Sequence, residues 1–133
     1  MVKAFIARGK RKEAIARAVV KPGAGRYMIN GVAIEALSSV FLREVYIEPL
    51  SFFTDASKYD VNVNVEGGGA SGQAQASRTA VAKAMLQAHG SPDNVKQQML
   101  AFDRSLLVED PRRVEPKKFK GPKARARFTK SYR

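Results

Sequence analysis

The chain has 133 residues, with 24 Lys and Arg against 12 Asp and Glu for a net charge of +12, and no cysteine. That length holds one domain with a modest core and leaves no room for two. The charge draws the chain towards polyanions, either nucleic acid or an anionic membrane surface, and the missing cysteines exclude disulfides and thiolate chemistry. No apolar run approaches the length that crosses a bilayer, and residues 1–12 lack the apolar stretch of a secretory signal, which predicts an intracellular protein.

In chain order, residues 3–8 hold Phe5, Ile6 and Ala7 and predict a first strand. Residues 8–12 carry four cations in five positions, Arg8, Lys10, Arg11 and Lys12, and are expected to form a hairpin tip. Residues 13–21 predict a second strand, with Ile15, Arg17 and Val19 on one face and Ala14, Ala16, Ala18 and Val20 on the other. The small residues of that second face imply close cover by a helix. A Pro-Gly-Ala-Gly turn follows at 22–25, then a short strand at 27–29 ended by Asn30-Gly31, a tight-turn pair. From Ile34 the period becomes helical: Leu37, Val40, Phe41, Val45 and Leu50 predict one or two short helices between 34 and 53, interrupted at Pro49.

The stretch 59–89 organises the rest. Tyr59, Val61, Val63 and Val65 alternate with Asp60, Asn62, Asn64 and Glu66, the period of a strand with one buried face. Gly67, Gly68 and Gly69 then form a hinge, and a helix follows with Ala74, Val81, Met85 and Ala88 on one stripe, Ser71 as its expected cap, and Gly90 with Pro92 as its stop. The hinge has two readings. Three glycines make a tight strand-to-helix turn, and the free amides at the helix start offer an anion site; neither the P-loop nor the dinucleotide fingerprint is met. Residues 93–102 predict a further helix, and 105–108 a short last strand.

Charge divides the chain into two parts, a globular domain over residues 1–111 and a tail over residues 112–133. The tail carries ten basic residues against one acid, Glu115, and so holds +9 of the +12. With Pro116, Gly121 and Pro122 and almost no apolar periodicity, it is expected to be disordered when free. Stretched out it reaches about 70 Å, at about 3.3 Å per residue. Phe119, Phe128 and Tyr132 are interleaved with its cations, as in segments that neutralise phosphates and stack on bases. Catalysis has no such support. His89 is the single histidine and sits at a helix end, Glu35, Glu44 and Glu48 fit a solvated helix face, and no residue cluster suits a metal or cofactor.

These residues bring a family into view. Gly9-Lys10-Arg11-Lys12-Glu13-Ala14 with Arg17, then residues 27–31 (Tyr-Met-Ile-Asn-Gly), then residues 67–74 with Arg78 and Lys83, and the ending through Lys130-Ser131-Tyr132-Arg133 closely resemble the universal small-subunit ribosomal protein nine family in its archaeal or eukaryotic form. The resemblance implies an α+β fold, a four-stranded sheet with helices packed on one face, plus the extended basic tail. It also implies a non-enzymatic role in the cytoplasm, in the head of the small ribosomal subunit beside neighbouring head proteins and away from membranes. rRNA-binding residues are then expected at Arg8, Lys10, Arg11, Lys12, Arg17, Gly68, Gly69, Arg78, Arg112, Arg113, Lys117, Lys118, Lys120, Lys123, Arg125 and Arg127. Lys130, Tyr132 and Arg133 are expected to approach the anticodon stem-loop of peptidyl-site tRNA. Two alternatives stand beside this one: a histone-like nucleic-acid binder, whose cations would share one compact face, and a small-molecule kinase-like domain, for which Mg²⁺ ligands and a general base are missing.

Overall fold

A computed structural model describes residues 3–90 and 92–127. Its sheet contains β1 (Phe5–Arg11), β2 (Ala14–Pro22), β3 (Tyr27–Ile29), β4 (Val32–Ala33) and β5 (Tyr59–Glu66), in the order β1-β2-β5-β3-β4. The β1-β2, β2-β5 and β3-β4 pairs are antiparallel and β3-β5 is parallel. Of three helices, α1 (Val40–Ile47), α2 (Ala70–Ala88) and α3 (Asp93–Phe102), α2 packs against the sheet, α1 packs on α2, and α3 packs on short 3₁₀ segments beside them. The α+β class is as expected. The sheet has five strands where four were expected, because Asn30 and Gly31 both take positive φ (51° and 80°) and turn the chain back at once into the two-residue β4.

Alternation along β2 and β5 decides which side of the sheet is covered. Ala14, Ala16, Ala18 and Val20 of β2 and Val61, Val63 and Val65 of β5 are all buried, and α2 lies over them. The approach over β1 is very close: a Cβ built on Gly9 would stand 2.1 Å from the Ala76 carbonyl oxygen and 2.7 Å from the Ala80 amide nitrogen. Only glycine fits there. Alanines on both surfaces bring helix and sheet together, while Met85, fully buried, fills the deeper space; truncating such a side chain costs about 2 to 5 kcal/mol.

The other flank of α2 is covered by α1 and by two short 3₁₀ segments, Glu48–Phe52 and Arg104–Leu106. Ser39 caps α1 by accepting from the Leu42 amide, and Pro49 opens the following 3₁₀ turn, the interruption its ring dictates. Tyr27 on β3 donates its hydroxyl to the Tyr46 carbonyl oxygen at 2.9 Å, joining sheet to α1, and its burial pushes the phenol up. Asn30 extends the β3-β5 pairing with its side chain, which both donates to the Val65 carbonyl and accepts from the Val65 amide.

Three local expectations are corrected. The cationic stretch is mostly strand: β1 runs to Arg11, and the hairpin tip is Lys12-Glu13, with Lys12 at φ 54°. The cap of α2 is Gly69 rather than Ser71, without a side-chain hydrogen bond. Residues 104–106 form a 3₁₀ turn instead of a strand, because Asp103 accepts from the Ser105 amide and Leu106 turns into the core. His89 is a packing residue, its ring centroid 4.6 Å from that of Phe53 and 5.2 Å from that of Tyr59. No helix among the described residues is long and apolar enough to cross a membrane.

Candidate nucleic-acid interface

The glycine hinge places an open cleft at the amino end of α2. Gly67 and Gly68 take φ of 81° and 64°, and side chains there would strike the backbone of Glu13 and Ala14 at the start of β2. The chain is thereby tucked under the β1-β2 hairpin before α2 begins. Ala70, Ser71 and Gly72 occupy the first turn, where amides have no intrahelical acceptor, and the first helical bond is donated by Gln73 to the Gly69 carbonyl. The cleft, of about 440 Å³, is lined by Gly68, Gly69 and the first-turn residues, by Arg11, Lys12 and Arg113, and by one acid, Glu13. Free amides, the positive end of a 19-residue helix and nearby cations make a setting for a phosphate.

Asp110 fastens the start of the tail beside this cleft. It pairs with Arg11 of β1 and with Arg112, and it also accepts from the Arg112 amide. The side-chain and backbone hydrogen bonds of Arg112, and then Arg11, hold its carboxyl well below the usual carboxylate range. Sequence reasoning missed Asp110 as an organiser. Its partner Arg11 lies far away in the chain, and no local pattern announces such a pair.

On the face of the sheet away from α2, Arg8 and Arg17 stand directly opposite in register, with Asn64 next in line on β5. Both arginines are exposed, and the acid in ion-pair range, Glu66, is 3.9 Å from Arg17 with both side chains mostly in solvent. Like charges paired across strands destabilise a sheet unless an anion joins them. Lys10 follows on β1, half-buried.

Arg78 is placed differently. It points from α2 into the α1 side of the molecule, 12% exposed, and donates to Glu48 at 2.7 Å and to Asp103 at 3.0 Å, as well as to Ser105. Burial works against the Asp103 carboxylate, but bonds from Ser105 and from Arg78 outweigh it and lower its pKa. The charge of Arg78 is therefore matched inside the domain, although the side chain borders a pocket that also holds Lys10, Arg11 and Arg112.

Residues 112–127 contain neither helix nor strand. Lys117, Lys118, Lys120, Lys123 and Arg127 are exposed and, among the described residues, lie in no ion pair, whereas Arg125 pairs with Glu115 at 2.9 Å. Phe119 is 86% exposed, with the Lys120 ammonium 5.9 Å from its ring centre. Lys130, Tyr132 and Arg133 lie outside the described residues.

Comparison with known proteins bears directly on this arrangement. The description Ribosomal protein S9/S16 matches residues 9–133. The chain belongs to that family. It is 49% identical over 126 residues to small ribosomal subunit protein uS9 of Picrophilus torridus, covering 94% of each chain. With the uS9 protein of Desulfurococcus amylolyticus it shares 44% over 133 residues, 99% of this chain and 94% of the relative, and with that of Methanothrix thermoacetophila 46% over 126 residues, 94% and 95%. The chain is thus a ribosomal protein, and the family match takes in the end of β1, β2, the hinge, α2 and the whole tail.

Proposed function

We propose that the chain is a structural constituent of the small ribosomal subunit and acts in the cytoplasm. In this reading it binds rRNA through the α2 cleft, the Arg8-Arg17 sheet face and the tail, and its last residues, Lys130, Tyr132 and Arg133, extend to peptidyl-site tRNA. The observation that carries the reading is the unmatched charge: Lys117, Lys118, Lys120, Lys123 and Arg127 are exposed and, among the described residues, lie in no ion pair, on a segment that the family match includes. A tail pinned by earlier rRNA contacts presents its terminal guanidinium at high effective concentration, and one charge-assisted contact to a phosphate then suffices for a modest gain.

The tagged chain should sediment with small subunits. Deletion of Arg133 should weaken tRNA holding in the peptidyl site by roughly 1 to 3 kcal/mol, the range of a charge-assisted hydrogen bond, and leave subunit assembly intact. Equal tRNA affinity of truncated and intact subunits would remove the tRNA role, and absence of the chain from small subunits would remove the whole reading.

A further inference from the structure

The outer side of α1 combines exposed apolar side chains with acidic ones. Val40, Phe41 and Ile47 are 62%, 71% and 40% exposed, on a helix whose Tyr46 is already buried against the body. Helical spacing puts Val40, Glu44 and Ile47 on one stripe and Phe41, Val45 and Glu48 on the next, so the two form a continuous face. Five of these side chains, with Ser51, line a shallow groove of about 430 Å³. Residues 34–57 carry four acids against the single base Arg43, on a chain of net +12. Among the described residues Glu44 has no ion-pair partner, while Glu48 is held by Arg78.

The charged side chains that line this groove are Glu44 and Glu48, which disfavour a phosphate there; the cations Lys10, Arg11, Arg78 and Arg112 line a separate pocket that shares Phe41, Val45 and Glu48. Exposed apolar and aromatic side chains beside an unpaired carboxylate suit a polypeptide instead: an apolar side chain covers Phe41 and Val45, and a cation reaches Glu44. We infer that the outer face of α1 docks a basic segment of a second protein, one that pairs a Lys or Arg with Glu44 and lays an apolar side chain over Phe41. The inference rests on the ribosomal reading for where the partner is met, since an assembly built on RNA brings many basic polypeptide segments within reach.

Two experiments on the full chain test it. The first uses a fluorescein-labelled peptide of alternating Lys and Phe and its Glu-Phe counterpart. The basic peptide should bind the tighter, against the net charge of the protein, and Glu44→Lys or Phe41→Ser should each weaken it about tenfold, the scale of a lost partly desolvated contact. Both side chains are exposed, so melting temperature should hold. Tighter binding of the acidic peptide, or equal binding to wild type and both variants, overturns the inference whether or not the chain enters ribosomes. In the second, Phe41 is replaced by photoreactive p-benzoylphenylalanine in assembled small subunits, with Phe119 replaced likewise as a control. A polypeptide adduct mapped to a Lys- or Arg-rich segment supports the docking face. An adduct to rRNA, or none from Phe41 while Phe119 labels rRNA, overturns it and leaves the rRNA-binding role standing.

Discussion

Arg78 and the arginines and lysines of the tail share nearly the same charge chemistry and do opposite things with it. Arg78 sits between Glu48 and Asp103, largely out of water, and joins α2 to the two 3₁₀ turns that cover it. Lys117, Lys118, Lys120, Lys123 and Arg127 stand in solvent without an acid in reach among the described residues. A cation with carboxylates built round it serves the fold, whereas a cation left unmatched is available to a partner that brings its own negative charge. The environment, and not the residue type, separates body from tail.

This contrast can be broken in graded steps. Gly9→Ala should have the largest effect on the body, destabilising it by about 3 kcal/mol because the new methyl strikes α2 backbone that has no room to yield. Equilibrium denaturation measures it, and an unchanged midpoint would contradict the close seating of α2. Arg78→Ala should cost about 2 kcal/mol, below the roughly 3 to 5 kcal/mol of a fully buried broken pair because Glu48 and Asp103 keep some contact with water. Its RNA salt dependence should match that of wild type. A slope shallower by about one unit would instead place Arg78 on a phosphate, as the family resemblance implies.

The smallest effect is expected from pH. Asp60 accepts from the amides of Ala24, Gly25 and Arg26, and these bonds, that of Arg26 foremost, lower its pKa. The pKa of Asp103 is lowered as well. The unfolded chain then binds more protons than the folded one as pH falls past the ordinary value of 3.8, so this stabilisation is full above that value and is lost below it. Melting temperature should be level from about pH 7 to 5 and drop below about 4. Asp60→Asn should melt lower at pH 6 and show a shallower acid decline; a decline as steep as that of wild type would exclude Asp60 as a contributor.

What could be read in the sequence was local or periodic. The β2 and β5 faces follow from strict alternation, the helix over the alanine face follows from side-chain size, and the Asn30-Gly31 turn follows from its dipeptide. What escaped was set by distant partners. The Arg8 to Arg11 cations look like loop because they are polar, yet pairing with β2 holds them in strand. The ion pairs of Arg78 with Glu48 and Asp103 were not legible either, because both acids arrive from other elements. Likewise Asp110 gains its meaning only when β1 brings Arg11 alongside.

The most direct test replaces Lys117, Lys118, Lys120, Lys123, Arg125 and Arg127 with glutamine in the full chain and follows single-stranded RNA binding across salt concentrations. The wild-type log-log slope should be on the order of −5 to −7, at about 0.7 per neutralised phosphate, and the variant should lose about four units of it while its melting temperature holds. Equal slopes for the two proteins would contradict the account.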